Sequence, residues 1–251
     1  EYDIYSFRIN VPDNMGILNN GNPDDLLKSS NLWSPNNIFG NHIALYTNGG
    51  VEKGKNYDAN QLTLAGYSSI EFKIGIKLKS VIGIRAEKFI QKYSGENSGG
   101  TINYQDEKVI DKLDVFPSTN LIYSLKENSN IRFSYSKTTA RPSFKEASIA
   151  EIFDPLSNMT FIGNIKLRPS YIDNLDLRFE IFGDKNELFA VSGFYKSFQD
   201  PIELSYYESA TENFQPKNLG NAKVFGIEFE MRKQISQAIG ININASIIES
   251  K

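Results

Sequence analysis

The chain has no cysteine, one histidine (His42) and one tryptophan (Trp33) among 251 residues. Without cysteine there is no disulfide framework, no thiolate metal site and no thiol nucleophile. A single histidine leaves little scope for a multi-histidine metal site or a histidine-dependent triad, and His42 reads as a surface residue. Charge of one sign is also missing: 27 Lys and Arg stand against 30 Asp and Glu, a net charge of -3. Phosphate binding needs a basic excess, so nucleic acid is not expected as a partner. No apolar run approaches the length of a membrane helix, and the mean hydropathy is -0.38. That excludes helical spanning but not a β-barrel, whose strands are apolar only at every second position. Gly95, Gly99 and Gly100 lack the Lys-Ser/Thr and the helix of a phosphate loop, and Asn158-Met159-Thr160 matches a glycosylation acceptor only formally. No enzyme signature, metal cluster or cofactor motif emerges.

What the sequence has in quantity is aromatic residues, 17 Phe and 13 Tyr, set in period-two runs. Over 61 to 74, Leu62, Leu64, Ile70, Phe72 and Ile74 fall on one face and Thr63, Tyr67, Glu71 and Lys73 on the other. That spacing is two, not 3.6. Similar runs follow at 78 to 87, 113 to 125, 131 to 141, 171 to 182, 189 to 196, 222 to 233 and 241 to 247, with Ile122 and Phe194 as exceptions on polar faces. With Tyr5, Phe7, Ile9 and Val11, about nine strands are predicted and no comparable helix.

The connections alternate in length. Those near 74 to 78, 126 to 130, 183 to 187 and 234 to 240 are short and polar, as tight turns are. Those at roughly 12 to 60, 92 to 112, 142 to 170 and 200 to 221 are long and rich in Asn, Gly, Ser and Pro. In an up-and-down meander every short turn falls at one end and every long loop at the other, the asymmetry of outer-membrane barrels. Charge placement agrees. A Lys or Arg on a lipid face costs roughly 2 to 4 kcal/mol at the midplane and about 0 to 1 near the interfaces. On the apolar faces, charges occur only toward strand ends, at Lys88, Lys137, Asp173, Lys223, Lys233 and Glu249. The other face carries Arg85, Glu87, Arg132, Asp176, Arg178, Glu180, Glu228, Glu230 and Arg232, expected to face a lumen. A soluble sheet with one wet face would give the same alternation. The chain opens without a signal peptide and closes within a strand pattern, and is expected to be a fragment.

Several phrases carry a resemblance. They are Tyr57-Asp58-Ala59 with Leu64-Ala65-Gly66-Tyr67, Val81 to Glu87, Phe116-Pro117-Ser118-Thr119-Asn120-Leu121-Ile122-Tyr123 and Ile131 to Phe144 with Thr139-Ala140-Arg141-Pro142. Gly163 to Arg178, Val191 to Lys196 and Phe225 to Arg232 continue the series. In this order, over about 57 to 235, the sequence resembles the barrel of TonB-dependent outer-membrane receptors, particularly of Bacteroidota-type bacteria. The resemblance implies an all-β, antiparallel up-and-down transmembrane barrel of about 22 strands, of which this chain supplies about nine. It implies a cell outer membrane location and uptake of a scarce siderophore, glycan or peptide, powered by the TonB-ExbB-ExbD complex through a plug. Neither plug, TonB box nor terminal aromatic strand is recognisable in residues 1–251. A surface lipoprotein and membrane lipid are further expected partners.

Arg141 and Arg168 could meet an anionic ligand at the vestibule, but loop-anchoring ion pairs are the favoured reading. The charges of 176 to 180 and 228 to 232 read as mixed-sign ladders across strands. Tyr104, Phe161, Tyr206, Tyr207 and Phe214 lie in long loops and could stack on a ligand, although aromatics also mark membrane interfaces. A passive porin and a soluble carbohydrate-binding β-sheet protein are the competing functions. A plug upstream would support import, and detergent-free solubility would support the third.

Overall fold

The computed structural model describes residues 53–154, 156–207 and 210–251, together with three short strands, β1 (Phe7–Ile9), β2 (Leu32–Trp33) and β3 (Tyr46–Asn48). The expected strand at 5 to 11 is described only over β1, and His42 and most of the first long connection lie outside the described residues.

Eight strands form one antiparallel wall: β4 (Tyr57–Ile74), β5 (Leu78–Glu96), β6 (Asn103–Lys126), β7 (Ser129–Ala140), β10 (Ser170–Phe182), β11 (Leu188–Gln199), β14 (Asn221–Gln234) and β15 (Gly240–Ser250). Each pairs with the wall strand before it in the chain, so the topology is an up-and-down meander. The four short connections become tight turns at one end, as their polar sequences predict. Four further strands, β8 (Glu151–Asp154), β9 (Met159–Ile162), β12 (Ile202–Tyr207) and β13 (Ala210–Asn218), make a second sheet from the long connections at the other end.

Register fixes the faces. One row runs Phe72, Ser80, Leu121, Phe133, Leu177, Gly193, Ile227, Ile247 across all eight strands. One residue on, the row from β6 to β14 reads Ile122, Arg132, Arg178, Ser192, Glu228. Because side chains alternate, the apolar and charged sets occupy opposite faces. Phe194, the exception on the polar face, sits opposite Gly226, and a Cβ built on Gly226 would come 2.8 Å from the Phe194 ring and 2.6 Å from the Ile247 carbonyl oxygen. Glycine at 226 lets the ring lie flat on the wall.

Two expectations need correction. The connection at 92 to 112 is not a loop, because β5 and β6 run on to Glu96 and from Asn103, leaving only a tight turn. Lys88 is therefore not at a strand end, and its ammonium pairs with Asp111 across the hairpin, as Lys92 does with Asp106. The connections 142 to 170 and 200 to 221 are likewise not featureless: they hold β8, β9, β12 and β13. Short, polar, Pro-interrupted segments give a weak periodic signal, and these strands gain their partners from one another rather than from the wall.

Candidate ligand vestibule

The site is built where the long connections meet the polar face of the wall. β6 pairs with β7 only from Ser118 onward, and pairing stops at Pro117, which has no N–H to give. Above that point Arg141, leaving β7, turns onto β5. Its guanidinium lies 4.3 Å from the centre of the Phe89 ring, pairs with Glu87, and approaches Asp114 at 3.8 Å. Glu87 and Asp114 are register partners, so two carboxylates face each other and Arg141 offsets their repulsion. Tyr171 donates its hydroxyl to the second Asp114 oxygen at 2.7 Å.

The next turn of the chain completes the seal. Ser143 and Glu146 cap each other, with the Ser143 N–H and hydroxyl both 2.8 Å from the Glu146 carboxylate. This turn carries Ala147, Ser148 and Ala150 against the wall, and the Ile149 N–H donates to the Tyr93 hydroxyl at 3.3 Å. Phe89, Gln91 and Tyr93 are consequently 2%, 1% and 1% exposed, which makes this the driest part of the described structure. Burial, above all, raises the Tyr93 hydroxyl above its usual pKa. Tyr93 also joins Tyr57 and Tyr104 in an aromatic stack, with centroids 5.8 and 6.2 Å apart.

Two connections are then locked together. The Asn218 side chain accepts from the Arg168 N–H at 2.9 Å and donates to the Arg168 and Asp200 carbonyls at 2.9 and 2.8 Å. Arg168 also pairs with Asp200 at 2.9 Å. Asn164 donates to the Pro216 carbonyl and Gln215 to the Gly163 carbonyl. Asp200 and Gly220 adopt positive φ, 52° and 46°, which bends the β12–β13 hairpin off the β11–β14 pair.

The resulting loop sheet has one aromatic face. Tyr206, Phe214, Phe161 and Ile152 are successive register partners across β12, β13, β9 and β8, and the Lys145 ammonium lies 4.4 Å over the Phe161 ring. This surface can stack on a planar ligand and offers it one cation. Of the seven loop residues singled out from sequence, Phe161, Tyr206 and Phe214 come together here. Tyr207 pairs with Ala210 beyond a break in register and falls outside this row, Tyr104 meets Tyr93 edge-on beside β5, Arg141 is held by Glu87, and Arg168 by Asp200. Sequence reasoning missed Asn164, Asn218, Tyr93 and Lys145, which act through backbone contacts or partners far along the chain and carry no local pattern.

Below the vestibule, the polar face carries a continuous ladder. Arg132 pairs with Glu180, Arg178 bridges Glu180 at 3.2 Å and Glu230 at 2.8 Å, and Arg232 pairs with Glu230 at 2.6 Å. Arg178 reaches across β11 because Ala190 and Ser192 are small there. Arg85 pairs with Glu87 at 2.7 Å. Glu228 and Asp176 stand beside Arg178 on the same face, without an ion pair among the described residues. No group of three metal-binding side chains occurs among the described residues.

An antiparallel wall with one apolar face, short turns at one end and long linked connections at the other is matched by residues 36–251 to the Outer membrane protein beta-barrel family. The chain belongs to that family. Its location is the outer membrane. Among solved structures it is similar to the siderophore receptor PirA of Pseudomonas aeruginosa, with 13% identity, a TM-score of 0.56, and coverage of 77% of this chain and 43% of that one. It is similar to the copper transporter OprC at 17% identity and a TM-score of 0.62, covering 83% and 31%. For the ferric yersiniabactin uptake receptor FyuA of Yersinia pestis the values are 17%, 0.55, 78% and 28%. The chain thus spans less than half the length of these receptors, and at such identity the likeness is one of fold. No curated protein matches it by sequence.

Proposed function

We propose that this chain is the wall and vestibule of a TonB-dependent receptor that imports a scarce ligand across the outer membrane. The apolar face contacts lipid and the polar face, with Arg85, Glu87 and the Arg132-to-Arg232 ladder, lines the lumen. A plug supplied elsewhere in the protein couples the barrel to TonB, ExbB and ExbD, and a surface lipoprotein can assist capture. The order of sequence phrases from 57 to 235 supports a Bacteroidota-type member. The observation that carries the reading is the loop sheet: two long connections are locked into one aromatic surface, and the first is sealed onto the polar face by Arg141 and Ile149. The similar solved receptors are named for siderophores and metals, which supports a metal chelate as the ligand class, ahead of glycans and peptides.

The test is uptake of radioactive iron, supplied as ferric catecholate and ferric hydroxamate chelates, by cells expressing the full-length protein. Uptake is expected to stop with a protonophore or on loss of TonB, and to fall when residues 200 to 215 are deleted while the barrel still assembles. Uptake that survives both energy blocks would identify a passive pore instead.

A further inference from the structure

The apolar face is not uniform. Gly193 sits in the row between Leu177 and Ile227 and contributes no side chain, leaving a groove of about 550 Å³ walled by Phe133, Leu175, Tyr195, Phe225 and Ile247, with Glu249 at its lysine end. The row toward the long-loop end is different in kind: Lys137, Asp173, Ser197 and Lys223 are successive register partners, and Lys251 exchanges both backbone hydrogen bonds with Lys223. Its two carboxylate neighbours are already engaged, Asp173 by the Tyr135 hydroxyl at 2.7 Å and Glu249 by Lys251 at 3.1 Å. Lys137 lies 5.5 Å over the Tyr171 ring and Lys251 5.8 Å over Phe225. Neither Lys137 nor Lys223 has a carboxylate partner among the described residues. Elsewhere on the apolar side, Lys88 and Lys92 are paired with Asp111 and Asp106, and Lys233 stands alone among the described residues at the short-turn end, so this row is where unpaired lysines gather on one level.

From this juxtaposition, an apolar groove directly beneath Lys137 and Lys223, the two lysines of the row without a carboxylate partner among the described residues, we propose a binding site for one phosphate-bearing acyl lipid. It rests on the assignment of the apolar face to the bilayer. An acyl chain fills the groove at Gly193 while Lys223 takes the phosphate, with Lys251, shared with Glu249, on the neighbouring strand, and Lys137 extends the basic row by three strand spacings, about 14 Å. Amphipathic rings flanking the groove, Tyr135 and Tyr195, mark the level at which headgroup gives way to chain. Lysines near a membrane surface attract anionic headgroups, and the aromatic contacts hold two of the three ammonium groups in place. A second copy of the chain would have to bring acidic groups to this row, and among the described residues none flanks it beyond the two already engaged.

The experiment uses the detergent-solubilised full-length protein and native mass spectrometry, titrated with palmitoyl-oleoyl phosphatidylglycerol or phosphatidylcholine. The anionic lipid is expected to be retained at about tenfold lower concentration. The double variant Lys137→Gln, Lys223→Gln should reduce that preference to within about twofold, and Lys137→Arg, Lys223→Arg should keep it. Gly193→Leu fills the groove without a clash, since a Cβ there meets only the Gly226 carbonyl oxygen at 3.9 Å, and should weaken retention of both lipids while leaving the barrel heat-modifiable. Equal retention of the two lipids, a preference unchanged in the glutamine variant, retention unchanged by Gly193→Leu, or a dimer that excludes both lipids would each overturn the proposal.

Discussion

Strands β4 to β6 and strands β7, β10, β11, β14 and β15 obey the same period of two but end in different surroundings. The first three run for 18, 19 and 24 residues, the other five for 11 to 14. A tilted membrane strand needs only about 9 to 11. On the proposed reading the surplus of eight residues or so carries the β5–β6 hairpin roughly 25 Å farther along the strands than a membrane span needs. On its outward side the apolar residues give way to Lys88–Asp111 and Lys92–Asp106 pairs, and on its inward side charge gives way to Phe89, Gln91 and Tyr93 under the loop. In the five shorter strands the inward side instead carries the ion-pair ladder of β7, β10 and β14, with small side chains of β11 between. On the proposed reading the same alternation therefore means lipid and lumen in one region and water and packed loop in the other, and strand length decides which.

The sharpest way to break this comparison is to put one charge at two places on the apolar face. Leu177→Arg, inside the short strands, is expected to lower stability by roughly 2 to 4 kcal/mol, and Ile90→Arg, on the raised hairpin, by less than about 1 kcal/mol. Urea unfolding of the full-length protein in lipid vesicles measures both. Equal costs would mean that β5 is buried in lipid to its tip and that the extension is no extension.

Ion pairs should divide in the same way. Glu180 is 4% exposed and takes Arg132 and Arg178 together, whereas Arg168 pairs with Asp200 in the open. Arg178→Leu strips one partner from Glu180 and one from Glu230, and about 2 kcal/mol of unfolding stability is expected to go with it. Arg168→Leu should cost no more than about 0.5 kcal/mol in the same assay. Arg141 falls between them. Arg141→Ala leaves Glu87 and Asp114 facing each other and removes the guanidinium from Phe89, so the loop from 141 to 151 should open locally. Trypsin cleavage after Lys145 in intact cells is expected to rise about tenfold, with the barrel itself unaffected. Cleavage at the wild-type rate would show that Ile149 and the Ser143–Glu146 turn suffice to hold the loop.

The wall strands were legible because each carries its own period, and eight of the nine expected strands lie in the described wall with their faces as read. The polar-face ladder could be anticipated only as charges of both signs on one face. That Arg178 spans β11 depends on Ala190 and Ser192 being small on a strand that is 12 to 14 residues away in sequence but next door in space. The vestibule was least legible. Arg141 and Arg168 were marked by type, but their partners, Glu87 and Asp200, lie 54 and 32 residues away. The Asn218 clamp bonds to backbone, which has no sequence signature at all. Phe161, Tyr206 and Phe214 stood out as aromatics in polar loops, yet only the pairing of β9 with β13 puts them in one row and leaves Tyr207 out of it.

The loop sheet itself is held by small local devices rather than by a core, and the turn between β8 and β9 offers the gentlest test of that. Asp154 accepts from the Ser157 hydroxyl at 2.7 Å and from the Leu156 N–H at 3.0 Å. These bonds, the Ser157 hydroxyl foremost, hold its carboxyl below the usual carboxylate range. A carboxyl whose pKa is depressed in the folded turn lends stability above its unfolded pKa and loses it as the pH falls through the folded value. Amide protection of Leu156 and Ser157, corrected for intrinsic exchange, should therefore decline as the pH falls below the usual carboxylate range, while the β10–β11 pair stays unchanged. Because Asp154 is open to solvent, the decline should be no more than about threefold. Asp154→Asn keeps an acceptor oxygen without the titration, so its protection should be flat over the same range. A decline of equal size in both proteins would place the acid sensitivity elsewhere in the loop sheet and leave Asp154 as one surface carboxylate among many.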